Sequence, residues 1–273
     1  MSGDVNATLA CALAAVKIGI PVAHVEAGLR SFDMSMPEEI NRRMTDVISD
    51  LCLITEPAGQ EHLNDEGVTT EKCHLVGNLM VDAVLACRPN LKTLQEIELS
   101  LPSRGYGLMT LHRPVNVDNE NTLLAILKTI VECTRDLPLV FPVHPRTKQK
   151  LEQPSIVEFL QSLPDGKLHQ VKPFGYIAML SAMSHAKCVL SDSGGVLSES
   201  TTLNVPCLSL RERTEQPITL SRGTVTLVGS DVDRIRECMD QVFAGTYKQS
   251  TDIPLWDGRA SLRIAEILAG VWN

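Results

Sequence analysis

Short apolar runs rich in valine, isoleucine and leucine alternate along this chain with longer segments whose apolar residues recur at helical spacing. Two clear apolar runs are Leu51–Thr55 and Cys188–Ser191, and a segment of helical period follows each of them. A strand that is apolar on both faces is typical of a parallel sheet covered on both sides by helices. The alternation therefore predicts an α/β fold built from βα units.

The length of 273 residues makes two domains the expected number, since single cores seldom grow beyond about 250 residues. Arg88–Gly105 contains two prolines and no clear strand, which is typical of a connection between domains. We predict a partial Rossmann-like domain over residues 1–100, a complete doubly wound domain over residues 101–255 and a terminal helical segment over residues 256–273. The first domain is predicted to be partial because a helix, and not a strand, follows Met1.

Composition and charge exclude several classes of function. The net charge of −8 at pH 7 argues against sequence-independent binding of nucleic acids, which needs a basic surface. No apolar run approaches the about 18 residues of a membrane-spanning helix, and no signal-peptide pattern opens the chain. The eight cysteines stand singly, without the spacing of a metal site. We therefore expect reduced thiols in a cytoplasmic protein that binds no nucleic acid, membrane or metal ion.

The segment DSGGVLSES, residues 192–200, follows a predicted strand and opens a predicted helix. Glycines allow a ligand to approach the backbone, and the free amides of a helix N-terminus attract anionic oxygen. Ser193, Gly194 and Gly195 are therefore candidates to hold a diphosphate, and Glu199, one turn further on, to accept hydrogen bonds from a ribose. From this motif alone, an alternative has equal weight: Ser193 only caps the helix and Gly194 only forms a turn.

A second candidate site is the segment HVEAGLRSFDMSMPEEINRRM, residues 24–44. A predicted strand ends near Glu26 and a predicted helix begins near Glu38, with Arg42 one turn later on the same face. An acidic first turn with a surface ion pair is the simpler interpretation of Glu38 and Arg42 taken alone. Glu26 favours catalysis, because a carboxylate at the end of an apolar strand is costly to bury without a task.

Two histidines follow strands of the predicted second domain. His112 stands in LMTLHRPVN and His144 in VFPVHPRT. If the two strands are neighbours in one sheet, both histidines face the same crevice, and Arg113 and Arg146 add affinity for an anion. A lone histidine is more often structural, so function is favoured for His112 and left evenly balanced for His144.

The chain resembles the non-hydrolysing UDP-N-acetylglucosamine 2-epimerases in seven motifs, which in sequence order are GD, HVEAGLR, PEEINRR, TLHRPVN, FPVHPRT, SDSGGVLSE and RTEQP. The resemblance implies a GT-B-like α/β fold of two Rossmann-like doubly wound domains, with the last helix crossing back to the first domain. It also implies that about ninety residues that open the family's first doubly wound domain are absent, which leaves Asp4 without the strand before it.

Carried over residue by residue, the resemblance implies that Ser193, Gly194 and Gly195 bind the UDP diphosphate. Glu199 then binds the ribose, and His112 also contacts the diphosphate. Met179 occupies a position where an aromatic residue often stacks on uracil. Gln216, which replaces a common arginine in RTEQP, is an additional candidate contact.

The catalytic residues implied by the resemblance are Asp4, Glu26, Glu38, Arg42 and His112. The implied reaction removes the C2 proton and expels UDP to give a 2-acetamidoglucal, then adds UDP back with the proton on the other face. No cofactor is needed, and the substrate is UDP-N-acetylglucosamine. The resemblance further implies a homodimer that serves polysaccharide biosynthesis.

Two other interpretations stay open. The chain is a catalytically impaired module that only binds a UDP-sugar, or it is a hydrolysing 2-epimerase or GT-B glycosyltransferase. Fold alone does not separate these chemistries. Asp4 distinguishes the active epimerase from the binding module, because only a fixed Asp4 completes the predicted group of carboxylates.

Overall fold

The computed structural model describes residues 1–271, and its elements alternate between strand and helix along most of the chain. The strands of this part of the chain are β1 Ala23–Ala27, β2 Leu51–Ile54, β3 Cys73–Leu75, β4 Gly107–Thr110, β5 Leu139–Pro142, β6 Leu168–Val171, β7 Cys188–Ser191, β8 Cys207–Ser209 and β9 Val225–Leu227.

The α-helices of the described residues are α1 Asn6–Lys17, α2 Pro37–Ile48, α3 Pro57–Asp65, α4 Leu79–Cys87, α5 Pro114–Val117, α6 Glu120–Cys133, α7 Pro145–Leu151, α8 Pro154–Gln161, α9 Tyr176–His185, α10 Gly194–Thr202, α11 Ile218–Ser221, α12 Val232–Ala244 and α13 Ala260–Val271. Two short 3₁₀ helices cover Thr70–Lys72 and Arg88–Asn90. Within residues 1–271, no helix has the length and apolar character needed to cross a bilayer.

The chain divides into two compact units, each built on a parallel sheet, as the α/β prediction requires. The first unit comprises Met1–Ala86, Arg213–Ser221 and the segment that begins at Asp252, and the second comprises Cys87–Glu212 and Arg222–Thr251.

The sheet of the first unit has the strand order β1-β2-β3. Ser2 extends it by one parallel bridge to Val25, and the Val25 amide donates a 2.8 Å hydrogen bond to the carbonyl of Met1. The segment that leads to Asp4 is therefore held against β1, where the sequence predicted no support. The register of β1 shifts between Val25 and Ala27, so Glu26 lies in a bulge.

The sheet of the second unit has the order β6-β5-β4-β7-β8-β9. Counted from its own first strand this is 3-2-1-4-5-6, the order of a doubly wound nucleotide-binding fold. Its core is mostly aliphatic, with Phe141 as a fully buried aromatic residue in the same cluster as Leu190 and Ile130. The strand order reverses between β4 and β7, and such switch points are where these folds place ligands at the carboxyl ends of strands.

Two short helices are absent from the predicted pattern. α5 begins at Pro114 directly after His112 and Arg113, and α11 follows Pro217. Proline fixes a helical φ and lacks an amide hydrogen, so it readily starts a helix. One turn of helix carries too few residues for periodicity to reveal it.

Candidate functional site

The switch point of the second unit brings His112 and Asp192 together. His112 follows β4, Asp192 follows β7, and the two strands are neighbours. The Asp192 carboxylate is fully buried and accepts hydrogen bonds from the backbone amides of His112 at 3.0 Å and Arg113 at 2.9 Å. The side-chain amide of Asn116, from α5, donates a further bond of 3.0 Å. One buried carboxylate thus fixes the loop that carries His112.

The same carboxylate orients the imidazole of His112. The ring Nδ1 lies 2.9 Å from Oδ1 of Asp192, while 39% of the His112 side chain is exposed. Burial pushes the pKa of Asp192 upward, but the hydrogen bonds from His112, Arg113 and Asn116 outweigh it and hold that pKa below its usual value. An ionised Asp192 keeps the Nδ1 proton on its own side, so Nε2 of His112 points outward.

The N-terminus of α10 lies beside this pair. Ser193 occupies the N-cap position, as the alternative interpretation expects, although within the described residues its side chain makes no capping hydrogen bond. Its backbone amide donates instead to Oγ of Ser191 at 3.0 Å. A Cβ on Gly194 would lie 3.4 Å from Nη1 of Arg211, so the guanidinium lies close over this turn. This end of α10 combines backbone amides, the helix dipole and a nearby guanidinium, all of which favour an anion.

Glu199 lies on α10 one turn beyond these residues and is buried. Burial raises the pKa of Glu199, and a hydrogen bond from the Tyr176 hydroxyl partly offsets that rise. Burial and the nearby Glu199 raise the pKa of Tyr176 to about 12, so the hydroxyl stays protonated and donates. Met179 lies one turn after Tyr176 on α9 and is half-buried. Tyr176 is not among the site residues predicted from the sequence. No local pattern indicates that it pairs with a residue of another helix.

His144 and Arg146 lie at the start of α7. The rings of His112 and His144 are 5.6 Å apart between centroids, so the two histidines lie side by side after the neighbouring strands β4 and β5. Nδ1 of His144 accepts the Arg146 amide at 3.2 Å, and the Arg146 guanidinium pairs with exposed Asp118 at 2.7 Å. The charge of Arg146 is therefore already neutralised in part by a carboxylate, which weakens the case for Arg146 as an anion contact.

In the first unit, Arg42 is the centre of a carboxylate cluster that we call the Arg42 cluster, formed by Asp4, Glu26, Glu39, Arg42 and Glu215. The buried Arg42 guanidinium pairs with Asp4, with Glu39 at 3.2 Å and with Glu215 at 3.8 Å. The predicted grouping of Asp4 with Arg42 is therefore present in this geometry.

Glu26 has a strained backbone, with φ of +73°, in the bulge of β1. A positive φ is uncommon for a residue other than glycine, and such strain concentrates at functional sites. Burial raises the pKa of Glu26, and the nearby carboxylate of Asp4 raises it further. His24 and Arg42 act in the opposite direction. Glu26 thus combines a raised pKa with a position fixed by the bulge, as a proton-transfer group requires.

The side chains of Glu38 and Glu39 lie in different environments, which the sequence did not predict. Within residues 1–271, the half-buried side chain of Glu38 makes no hydrogen bond or ion pair. Glu39 is completely buried and accepts from the amide and hydroxyl of Ser31, each at 2.9 Å, and from the amide of Phe32 at 3.1 Å. Glu39 thereby fixes the loop after β1 and leaves the Glu38 carboxylate open for another task.

Gln216 belongs to the segment Arg213–Ser221 of the first unit, and its backbone amide donates to Oγ1 of Thr214 at 3.1 Å. The adjacent Glu215 reaches Arg42 and was missed in the sequence. Its partner lies far away along the chain, so no local spacing indicates it.

The chain is similar to known proteins over nearly its whole length. A family model described as UDP-N-acetylglucosamine 2-epimerase matches residues 1–269. The UDP-N-acetylglucosamine 2-epimerase of Methanococcus maripaludis is 36% identical over 276 residues, which cover 99% of this chain and 74% of that protein. The UDP-2,3-diacetamido-2,3-dideoxy-D-glucuronate 2-epimerase of Pseudomonas aeruginosa is also 36% identical, over 98% of this chain and 73% of that protein. A crystal structure of Methanocaldococcus jannaschii UDP-GlcNAc 2-epimerase in complex with UDP-GlcNAc and UDP has a TM-score of 0.87 at 37% identity, and the match covers 98% of this chain and 74% of that one.

Proposed function

This chain belongs to the UDP-N-acetylglucosamine 2-epimerase family, and we propose that it interconverts UDP-N-acetylglucosamine and UDP-N-acetylmannosamine. The observation that carries the proposal is the half-buried carboxyl of Glu26, whose pKa is raised first by loss of solvent and then by the neighbouring carboxylate of Asp4. Inversion at C2 begins with removal of a weakly acidic C–H proton. A carboxylate with a raised pKa in a fixed position is suited to that step.

The proposed reaction proceeds by elimination and re-addition. A carboxylate takes the C2 proton, the C–H electron pair forms the C1–C2 double bond, and the C1–O bond breaks to release UDP and a 2-acetamidoglucal. UDP then adds back at C1 while a proton is delivered to the opposite face of C2. Removal from one face and delivery to the other need two acid–base groups. We assign these roles to Glu26 and to one of Asp4 and Glu38, with Arg42 holding Asp4 in place.

The second unit supplies the proposed binding groups for UDP. The amides of Ser193, Gly194 and Gly195 at the start of α10 hold the diphosphate, and the outward Nε2 of His112 adds a polar contact. These groups also stabilise the negative charge that develops on the departing diphosphate, and stabilisation of this kind often accounts for most of the rate enhancement in an enzyme. Glu199 receives the ribose hydroxyls.

The remaining proposed contacts surround this centre. We assign the uracil to the face of α9 that carries Met179 and Tyr176, since residues three apart share a helix face. Additional ligand contacts are proposed for Arg113, His144, Arg146 and Gln216.

Proton NMR of the purified chain with UDP-N-acetylglucosamine in deuterated water tests the proposal. We expect deuterium at C2 of the substrate pool and a UDP-linked product of manno configuration. Release of free N-acetylmannosamine with UDP would instead identify a hydrolysing 2-epimerase. UDP binding by calorimetry without exchange at C2 would identify a catalytically impaired binding module. A chain that neither binds UDP nor exchanges the C2 proton would overturn the proposal.

The sugar itself needs a separate test, because a relative of equal identity is named for UDP-2,3-diacetamido-2,3-dideoxy-D-glucuronate. We expect faster exchange with UDP-N-acetylglucosamine, in line with the family model. Faster exchange with the diacetamido-glucuronate would move the substrate to that relative's class while leaving 2-epimerisation intact.

We also propose that the chain forms a homodimer. The polar face of α2 points inward and its apolar face outward: Glu39, Arg42 and Asp46 are buried, whereas Ile40, Met44 and Val47 are exposed. An apolar stripe at positions i, i+4 and i+7 is typical of a helix face that a partner covers.

The free state of all eight cysteines supports a reducing compartment, and we propose the cytoplasm. The proposed product is a nucleotide-activated N-acetylated sugar, which is the form in which glycosyltransferases consume sugars, so we propose a role in polysaccharide synthesis. Fractionation of the source cells tests the compartment.

A further inference from the structure

Glu56 is a buried carboxyl group of the first unit that the proposed reaction does not use. It occupies the N-cap position of α3, and only 3% of the residue is exposed. Within residues 1–271 its side chain makes no capping hydrogen bond to α3. The carboxyl instead accepts the backbone amide of Ile218 at 3.2 Å, 162 residues further along the chain. Burying a carboxyl group is costly, so this distant contact calls for a reason beyond local structure.

The partner of Glu56 lies in the segment Arg213–Ser221, which belongs to the first unit although the residues on either side of it, Glu212 and Arg222, belong to the second. The chain therefore enters the first unit and leaves it again within this short segment. The segment adds no strand to the sheet β1-β2-β3, so a ladder of backbone hydrogen bonds does not hold it there. Its place in the first unit depends on individual contacts.

Arg213 and Glu215 also connect this segment to the first unit. The exposed guanidinium of Arg213 donates to the carbonyl oxygen of Phe32 at 3.1 Å, and Glu215 lies 3.8 Å from Arg42. The hydrogen bond to Glu56 differs from that of Arg213 because it is buried. A buried amide that loses its acceptor cannot turn to water without a rearrangement, so this bond holds the segment more firmly than an exposed one.

Hydrogen bonds inside the segment connect Ile218 to Glu215. The amide of Thr219 donates to the carbonyl oxygen of Gln216 at 3.1 Å, and the Thr219 hydroxyl donates to the same oxygen at 2.7 Å. The amide of Gln216 in turn donates to Oγ1 of Thr214 at 3.1 Å. Residues on both sides of Glu215 are therefore tied together, and the position of Ile218 determines that of Glu215.

We propose that Glu56 is a positioning residue that holds the segment Arg213–Ser221 in place and so keeps Glu215 against Arg42. The inference rests on the proposed function, in which Arg42 holds Asp4 for proton transfer. If Glu215 moves away, the Arg42 guanidinium loses one of its carboxylate partners and Asp4 is less firmly placed. A misplacement of about 1 Å at a reacting group can cost about a hundredfold in rate.

This role needs an acceptor at position 56 and no charge. Burial raises the pKa of Glu56 to about 7, and the hydrogen bond from Ile218 opposes that rise. A carboxyl oxygen accepts a hydrogen bond whether the group is ionised or protonated. Glutamine offers a carbonyl oxygen at the same place and should replace Glu56, whereas leucine has a similar size and offers no acceptor.

Hydrogen–deuterium exchange followed by mass spectrometry tests the positioning without reference to activity. In Glu56→Leu we expect the amides of Arg213–Ser221 to exchange at least about tenfold faster than in the wild type, because the buried acceptor is lost. Glu56→Gln should match the wild type. So should Glu61→Leu, an exposed change on the same helix α3. A segment that exchanges at the wild-type rate in folded Glu56→Leu would overturn the proposal.

The rate of C2 exchange tests the consequence for the proposed reaction. We expect Glu56→Leu to lower kcat about tenfold with KM nearly unchanged, and Glu56→Gln to restore the wild-type rate. If Glu56 acts through Glu215, Glu56→Leu should lower kcat little further in a chain that already carries Glu215→Gln. Additive losses in the double variant, or a wild-type kcat in Glu56→Leu, would contradict the positioning role.

Thr219→Val gives an independent test that leaves Glu56 unchanged, and it decides the question even where Glu56→Leu does not fold. Valine has the shape of threonine but lacks the hydroxyl that binds the Gln216 carbonyl. We expect a loss of kcat without a change in KM, and faster exchange of the segment. Wild-type values of both quantities would contradict the proposal. If the wild-type chain shows no C2 exchange at all, the proposed function fails, and the deuterium exchange of the segment still decides whether Glu56 holds it.

Discussion

At the scale of single residues, Glu26, the proposed proton-transfer group, has a backbone conformation that is uncommon for a residue other than glycine. Glu26 is the sole residue of β1 with a positive φ, and it adopts this conformation where the register with β2 shifts in a bulge. The strand was predicted from its apolar neighbours, but the bulge depends on pairing with β2. The backbone strain therefore depends on tertiary structure. The sequence indicated only that a carboxylate at the end of an apolar strand would be costly to bury.

Replacement of Glu26 by glutamine should abolish proton transfer and leave UDP binding intact. The amide fills the same space but cannot accept a C2 proton, so we expect exchange at C2 to fall by about 10²–10⁴-fold. NMR in deuterated water measures the exchange, and calorimetry measures UDP affinity. Glu237→Gln, on the exposed surface of α12, is the matched control. Retention of wild-type exchange in Glu26→Gln would remove Glu26 from the mechanism.

The raised pKa of Glu56 leads to a prediction of how the free energy of unfolding depends on pH. Burial raises the pKa of Glu56 to about 7, and the Ile218 amide donates to its carboxyl at 3.2 Å. Between about pH 4.5 and 7 the unfolded chain has lost this proton while the folded chain retains it, so stability falls as pH rises through that window.

A Glu56→Gln variant tests this sign, because the amide keeps the acceptor for Ile218 and removes the titration. Relative to wild type, we expect the variant to gain roughly 2–3 kcal/mol in free energy of unfolding between pH 5 and pH 8. Urea unfolding at both pH values measures the difference, with exposed Glu61→Gln as the control. A parallel pH dependence of variant and wild type would show that Glu56 is ionised throughout.

At the scale of elements, periodicity predicted the order of strands and helices well, and it missed what depends on contacts between elements. The strand β7 was predicted with the bounds that the structure gives it, and α13 lies within the terminal helical segment predicted over residues 256–273. Buried Asp192 and Glu39 were not assigned roles, since their partners come from other loops. A buried charge is stabilised by hydrogen bonds from distant segments, and local spacing carries no record of them.

Replacing Gly194 by alanine at the start of α10 should weaken UDP binding without lowering stability. A methyl group there would lie 3.4 Å from Nη1 of Arg211, on the turn proposed to hold the diphosphate, so we expect UDP to bind at least about tenfold more weakly. Alanine is a better helix former than glycine by about 1 kcal/mol, so stability should not fall. Calorimetry with UDP and urea unfolding measure the two quantities. Gly270→Ala, on α13, where an added Cβ would meet no atom of residues 1–271 within 4 Å, should leave binding unchanged.

At the scale of the whole molecule, the surface carries an apolar face that the fold does not use. The inner face of α2 is occupied by Glu39, Arg42 and Asp46. Glu39 and Arg42 belong to the Arg42 cluster, and Asp46 pairs with His24 and Arg30. A helix whose polar residues serve the interior leaves its apolar residues to solvent. The proposed homodimer would bury this stripe, and the cost of charges inside the unit would then be accompanied by a gain of apolar burial outside it.

The double variant Met44→Lys and Val47→Lys tests that assembly. Both side chains are exposed, at 46% and 66%, so lysine at these positions should leave the fold of the monomer intact. Two cations in an apolar interface meet their copies across a twofold axis, and we expect the variant to be monomeric where the wild type is dimeric. Sedimentation velocity over a concentration series measures this. Val115→Lys, which replaces an exposed apolar residue of the second unit, is the control and should remain dimeric. A dimer that persists in the double variant would place the interface elsewhere, and a wild-type chain that stays monomeric at every concentration would show that α2 keeps its apolar face in water for another reason.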